Sequence, residues 1–378
     1  MNPAPLHVAQ IVPYYPPHEG GMETNTKQLV SHLPAAGVST EVITSRIPSG
    51  PNEPGVRRLP ALDIAHTPVM WGLIPALASL PSHCVVHVHV AQAFVPDIAA
   101  FVARRRHQPV VAHYHLDVDP SGPLGLLLRP YQRTLLRHTL RRADAVVVPT
   151  PDYADIVVDT YGVARSRVHV IPGATTLPVR ERPREAPDGT VRLLSVGRLS
   201  EQKNYFLLLE AMHHLGAPAD PTTTADETIA WSLDIVGEGE QRAALQRRIT
   251  ELGLDDRVTL RGGGFDGDRL RRWYDDADIF VLATRKESFG LVFVEAMTRA
   301  LPIVSTEAPG VRNVVVHGRN GLLTRHEPAA LAAALRTVAA DRALYRTLSE
   351  NNRTDAATYS WTVVAEQFAR LYRSVSPT

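Results

Sequence analysis

Short valine-rich runs alternate along the chain with longer stretches whose apolar positions recur every three or four residues. The runs His7–Val12, Val85–Val90, Val110–His115 and Ala145–Val148 are bounded by Pro, Asp or other polar residues, which predicts strands buried in a sheet. Helical periodicity occupies Met22–Leu33, Phe94–Arg106, Leu126–Arg141 and Tyr153–Tyr161. A β-α-β-α order of this kind implies a doubly wound parallel sheet.

The polar, proline-bearing stretch Val179–Gly189 then reads as an interdomain linker. A second series follows. Its strands are expected at Arg192–Val196, Ser232–Val236, Arg257–Leu260, Ile279–Leu282 and Ile303–Ser305. Its helices are expected at Tyr205–Leu215, Gln241–Leu252, Asp268–Tyr274, Leu291–Arg299 and Ala329–Val338. The amphipathic end, Trp361–Val375, is expected to pack back on the first domain. The chain therefore reads as α/β, with two Rossmann-like domains at 1–180 and 190–356 and a returning helix in 357–378. Ligands of such sheets bind beyond the carboxyl ends of the strands, so the residues just after each strand matter most.

With 378 residues the chain exceeds the usual single-domain size. Its 40 basic and 39 acidic residues leave a formal charge of +1, which argues against whole-surface attraction to nucleic acid but permits a local basic pocket. One cysteine, Cys84, excludes an intrachain disulfide and suits a reducing cytoplasm. The start, MNPAPLHVAQIVPYYPP, lacks the pattern of a signal peptide. A cytoplasmic location is expected.

Four post-strand segments carry candidate chemistry. In Ser195–Asn204, Gly197 permits close backbone approach, Arg198 can grip phosphate oxygens bidentately, and Lys203 adds a point charge near a helix start. In Arg285–Glu295, the amides of Phe289, Gly290 and Leu291 open a helix. There Glu295 could accept a ribose diol and Glu287 a sugar hydroxyl; the competing readings are a dipole-facing acid at Glu287 and a Glu295–Arg299 surface pair. Between the first strand and helix, Gly20 and Gly21 allow a ligand near the backbone. His113 and His115 share one side of a strand, repeated by His87 and His89, but no matching ligand set suggests a metal. The glycines Gly262, Gly264 and Gly267 spell a dinucleotide fingerprint with Glu287 downstream, yet they fall outside the first β-α turn of their unit.

Together these pieces resemble glycosyltransferase family 4, the retaining enzymes of the GT-B fold. The resemblance spans nearly the whole chain and is densest in V-G-R-L-S-E-Q-K-N at 196–204, D-I-V-G-E-G-E at 234–240, A-D-I-F-V-L-A-T at 277–284 and E-S-F-G-L-V-F-V-E at 287–295. Tyr359-Ser-Trp361 is similar to the family's closing segment. The resemblance implies two domains facing a cleft and a nucleotide-diphosphate sugar as co-substrate, with no further cofactor. It also implies Arg198 and Lys203 on the diphosphate, Glu287 and His115 on the sugar, Glu295 on the ribose, and backbone amides at Gly20, Gly21 and 289–291. Two segments depart from the family pattern. Pro172-Gly173-Ala174 stands where Pro-Asn-Gly is frequent. Ala308-Pro-Gly-Val-Arg-Asn313 lacks the glutamate of Gly-Gly-x-Pro-Glu, near the phosphate end of the site.

The implied reaction is metal-independent, retaining transfer of a hexose-type sugar, with a UDP-sugar as first expectation. The acceptor is expected to be a small hydroxylated molecule such as an aminocyclitol, met by first-domain loops bearing Tyr15, Trp71, Phe94, Asp97, Asp117 and Asp119. A lipid acceptor at a membrane is the competing reading, through Arg104–Arg106 and Arg137–Arg142. It is disfavoured because the apolar residues nearby look needed for the core. The same motifs would also suit a nucleotide-sugar-binding protein without activity, an epimerase, or a phosphorylase with Lys286 as the local lysine. Monomer and homodimer both stay open.

Overall fold

The computed structural model describes residues 6–18, 20–64, 67–115, 129–216, 229–263 and 267–376. Asp117 and Asp119 lie outside the described residues, as does Gly264. The chain forms two compact units, Met1–Ala174 with Trp361–Thr378, and Thr175–Ser360.

Unit one is built on β1 (Leu6–Ile11), β2 (Val38–Ser45), β3 (Val56–Leu59), the pair β4 (Ala61–Ile64) and β5 (Thr67–Met70), β6 (Val85–Val90), β7 (Val110–Tyr114), β8 (Ala145–Val148) and β9 (Val168–Val170). Seven of them form a parallel sheet ordered β3-β2-β1-β6-β7-β8-β9, and β4 and β5 make a separate antiparallel hairpin. Every residue of β6, β7 and β8 is buried, as expected where helices cover both faces of a parallel sheet. The helix Pro151–Tyr161 shows why the local sequence folds this way. Thr150 caps it by accepting from the Tyr153 amide, Pro151 opens it, and Gly162 closes it in the left-handed region at φ +68°. The final helix, Trp361–Val375, buries Trp361, Phe368 and Tyr372 against Val8, Leu29, Val85 and Val111.

Unit two contains β10 (Thr190–Val196), β11 (Ala230–Val236), β12 (Val258–Arg261), β13 (Ile279–Leu282), β14 (Ile303–Thr306) and β15 (Gly321–Thr324). They form one parallel sheet in the order β12-β11-β10-β13-β14-β15. Counted within the unit this is 3-2-1-4-5-6, the Rossmann order, and the strand order reverses between β10 and β13.

The stretch 179–189, expected as an interdomain linker, lies within unit two. Arg184 explains its docking. The guanidinium is buried and donates to the carbonyls of Arg299 (2.8 Å), Ala277 (2.7 Å), Tyr274 (2.7 Å) and Asp275 (3.1 Å). A polar composition thus concealed a planar five-donor fork with a carbonyl cradle waiting for it.

Candidate functional site

In unit two the predicted residues gather at the reversal point. Arg198 and Lys203 follow β10, and Glu287 follows β13, which is the next strand in the sheet. The two loops are tied together directly. The Arg285 amide donates to the Gln202 carbonyl at 2.9 Å, and the Gln202 side-chain amide donates to the Lys286 carbonyl at 2.6 Å. Lys203 ends a short 3-10 turn, Glu201–Lys203, and its ammonium pairs with Oε1 of Glu287. Both side chains are largely withdrawn from solvent, at 14% and 7% exposure. Arg198 differs. It is exposed and makes no side-chain hydrogen bond or ion pair with the described residues, so its fork is open to an incoming anion.

Backbone shape permits the crowding. Gly237 follows β11 at φ +158°, and a Cβ there would fall 2.0 Å from the Gly197 carbonyl oxygen. Gly310, at φ +81°, lies over Glu287; a Cβ would fall 2.0 Å from that residue's carbonyl oxygen. The Glu287 amide in turn donates to the Pro309 carbonyl at 3.0 Å. Sequence order alone does not single out Gly237 or Gly310, although both sit in segments that carry or border the family pattern.

The helix Leu291–Thr298 starts at Gly290, in the left-handed region, with no side chain capping it. The Phe293 amide donates to the Gly290 carbonyl at 2.9 Å, which leaves the amides of Leu291 and Val292 at the helix start without intrahelical partners. Phe289 is buried against Tyr359, with ring centres 5.7 Å apart. Glu295 accepts the Tyr274 hydroxyl on Oε2 at 2.7 Å, and burial pushes its carboxyl up to about 7. The competing expectation, a Glu295–Arg299 pair, is not formed. Arg299 binds Asp275 and the Pro178 carbonyl instead. The other oxygen of Glu295, Oε1, makes no hydrogen bond with the described residues. Of the glycine fingerprint, Gly262 follows β12, an edge strand that is not one of the two flanking the reversal point.

In unit one His115 follows β7. Its Nε2 lies 2.8 Å from His89 Nδ1, and His89 Nε2 lies 2.9 Å from Gln10 Oε1. Gln10 also donates to the Tyr372 hydroxyl, which lies 2.6 Å from His87 Nδ1. With the Gln10 amide assigned this way round, its oxygen fixes the proton of His89 on Nε2. His115 then donates through Nε2 and keeps Nδ1 as an acceptor. Burial drives His87, His89 and His113 well below the usual histidine range, and His115 down to about 4. All four are neutral near pH 7.

His87, His89 and His113 bring ring nitrogens within 4.8 Å of one another. Yet His87 and His89 stack 4.6 Å apart with their planes only 7° from parallel. Lone pairs lie in the ring planes, so stacked parallel rings do not aim at one ion about 2.0–2.1 Å from each nitrogen.

Gly20 caps the helix Gly21–His32 from an extended conformation. The Glu23 side chain folds over it, so that a Cβ on Gly20 would fall 2.1 Å from Glu23 Oε2, while His18 Nδ1 pairs with Glu23 Oε1 at 2.9 Å. A carboxylate thus borders the backbone that was expected to meet phosphates. Two acceptor expectations are corrected. Tyr15 is a core residue packed with Val12 and Val42, its ring under Arg58 at 5.7 Å. Asp97 is buried and accepts from the Tyr131 hydroxyl and Thr139 Oγ1, both at 2.6 Å.

Two family models divide the chain between them. Glycosyltransferase Family 4 matches residues 19–177, and Glycosyl transferases group 1 matches residues 180–355. The chain belongs to glycosyltransferase family 4. Among family 4 relatives, it is 27% identical to D-inositol 3-phosphate glycosyltransferase 1 of Catenulispora acidiphila, over 88% of this chain and 81% of that one. It is 30% identical to mannosylfructose-phosphate synthase of Agrobacterium fabrum, over 61% of this chain; that match spans about half (53%) of the relative. The sucrose-phosphate synthase of Thermosynechococcus elongatus superposes with a TM-score of 0.73 at 23% identity, covering 98% of both chains. HepE of Anabaena, solved with UDP and glucose, gives 0.73 at 18%, covering 98% of this chain and 100% of that one. The family 4 chain accordingly has the GT-B fold of two Rossmann-like halves.

Proposed function

We propose that this family 4 glycosyltransferase moves a hexose-type sugar, with retention and without a metal, from a nucleotide-diphosphate donor to a small hydroxylated acceptor. The observation that carries the proposal is the grouping at the reversal point of unit two: exposed Arg198, the buried Lys203–Glu287 pair, the uncapped helix at Gly290 and the half-satisfied Glu295. Arg198 and Lys203 stabilise the charge that grows on the departing diphosphate, the amides at Phe289, Gly290 and Leu291 orient it, and Glu295 holds the ribose. Glu287 holds a sugar hydroxyl. For His115 we keep the role the resemblance implies, contact with the donor sugar, now through Nδ1 as an acceptor. The glycines at 20 and 21 stay assigned to the phosphates, on condition that Glu23 turns away from Gly20.

In the proposed step the acceptor oxygen bonds to the anomeric carbon on the face from which the leaving oxygen departs. The carbon–oxygen bond to the diphosphate breaks, and the acceptor proton passes to a diphosphate oxygen. Charge balances without a protein nucleophile. UDP is the first donor choice, supported by HepE having been solved with UDP and glucose. A cyclitol or its phosphate is the first acceptor choice, supported by the name of the inositol 3-phosphate relatives. A cytoplasmic site of action accords with this chemistry.

The test offers UDP-hexoses with inositol and inositol phosphate, in the presence of EDTA, and reads the product by NMR. An α-glycoside from an α-linked donor supports the proposal. An inverted product, or activity restored only by added divalent metal, contradicts it. Donor interconversion without acceptor would instead favour an epimerase.

A further inference from the structure

Three helical segments lie side by side on one face of the sheet of unit one: Leu73–Ala78, Val95–Arg105, and the stretch 129–142 that ends in Arg137–Arg142. They are packed to one another from below. Leu73, Ala76 and Leu77 share a core with Ala99, Ala100 and Ala103, and Asp97 is bonded by Tyr131 and Thr139 of the third segment. Their outer surface is unusual. On Val95–Arg105 the exposed positions, with the cap Phe94, are Phe94, Ile98, Phe101, Arg104 and Arg105. Phe94 is 54% and Phe101 58% exposed, and the Arg105 guanidinium lies 4.8 Å above the Phe101 ring. Trp71 and Ile74, at 57% and 58%, extend the apolar surface over the first segment, and Leu135 over the third. The expectation that these apolar residues serve the core is therefore corrected.

Charge on this face is segregated. Arg129, Arg133, Arg137, Arg141 and Arg142 are exposed on the third segment, adding to Arg104 and Arg105. Among the described residues of the three segments the single acid is Asp97, and it is buried. The chain as a whole carries only +1, so this concentration is not a by-product of overall charge. An isologous dimer through the face would set arginine against arginine. Aromatic and aliphatic tips beside arginines match the boundary between anionic headgroups and acyl chains.

We propose that this three-helix face docks on an anionic lipid bilayer, with Trp71, Phe94 and Phe101 at the acyl boundary and the arginines among the headgroups. The inference concerns where the protein sits and stands apart from the transfer reaction, because its readout is binding. The experiment is co-sedimentation with vesicles of phosphatidylcholine alone and of phosphatidylcholine mixed with phosphatidylglycerol. The protein is expected to sediment with the anionic vesicles only, to be released by high salt, and to show a blue-shifted emission that Trp71→Phe abolishes. Arg105→Gln with Arg133→Gln should weaken partitioning about 25-fold, fivefold for each arginine removed from an anionic surface. Ile98→Ser with Phe101→Ser should weaken it by roughly tenfold or more. Both are surface changes that leave the melting temperature in place. Absence of binding to anionic vesicles at low salt overturns the proposal. So does equally tight binding to duplex DNA that Ile98→Ser/Phe101→Ser leaves intact, or a dimer that the same pair of changes dissolves.

Discussion

The ammonium of Lys203 and the carboxylate of Glu287, 84 residues apart in sequence, form one largely buried ion pair. Adjacent parallel strands β10 and β13 deliver the two residues to the same level, and the Gln202 bonds hold their loops together. In the proposed reaction this pair is shared with the donor: the sugar takes the carboxylate while the diphosphate takes the ammonium.

The two cations should respond differently to removal. Arg198→Ala is expected to lower turnover by about 10²–10³, the loss seen when one preorganised charge stabiliser is deleted, with stability held within about 0.5 kcal/mol because the side chain is exposed. Lys203→Ala should lose turnover and also destabilise by roughly 2–4 kcal/mol, since Glu287 is left buried and unpaired. Lys203→Met combined with Glu287→Met should regain much of that stability without regaining activity. Chemical denaturation beside steady-state assays separates the effects.

Glu295 links pH to both folding and binding. Its carboxyl titrates near 7 in the folded protein against an ordinary value of 4.5. A group raised on folding contributes stability that is intact below 4.5 and is lost as pH rises through 7. Glu295→Gln should therefore melt higher than the parent at pH 8 and close to it at pH 4.5, while binding nucleotide more weakly. Melts at both pH values, with and without nucleotide, check this. Equal melting temperatures at pH 8 would remove Glu295 as a strained acid.

The histidines have the opposite sign. His87, His89 and His113 are held neutral by burial, well below the usual 6.5. Their share of the stability is present above pH 6.5 and is lost as pH falls, with a slope of about 1.4 kcal/mol per pH unit for each histidine that protonates only on unfolding. His113 Nδ1 is buried with no hydrogen-bond partner among the described residues, so His113→Leu gives up no bond at that atom. That variant should gain on the parent as the pH is lowered from 7 to 5. Parallel acid-unfolding curves for the two proteins would contradict the assignment.

Arg184 anchors the stretch 179–189 on unit two. Arg184→Ala strands four carbonyl partners and should cost at least about 3 kcal/mol, and Arg184→Lys should recover little, since an ammonium cannot span the same fork. Urea denaturation of both variants measures this.

Much of this arrangement is legible from residue order. Buried strands announce themselves where valine dominates a short run, as in V-V-H-V-H-V of β6 and A-V-V-V of β8. They stay hidden where polar residues interrupt them: β2 reads V-S-T-E-V-I-T-S, and only its second half is fully buried. The helix Arg342–Asp355 escapes the pattern because polar and charged residues outnumber its few buried ones. In the site, Arg198, Lys203, Glu287 and Glu295 stand out through their order after strands. Tyr15 and Asp97 mislead because loop aromatics and acids look alike whether they face a ligand or a core. The pairing of His18 with Glu23, and the approach of Gly310 to Glu287, depend on tertiary geometry that no local pattern encodes.

The most direct measurement is a thermal-shift panel of UDP, GDP, ADP and dTDP against the parent protein and Arg198→Ala. The account predicts that one nucleotide diphosphate raises the parent's melting temperature, since saturation at 100 times Kd contributes about 2.7 kcal/mol, and that Arg198→Ala loses most of that shift. If no nucleotide stabilises the parent, or if Arg198→Ala is stabilised as strongly, the diphosphate site drawn around Arg198, Lys203 and Glu287 is contradicted.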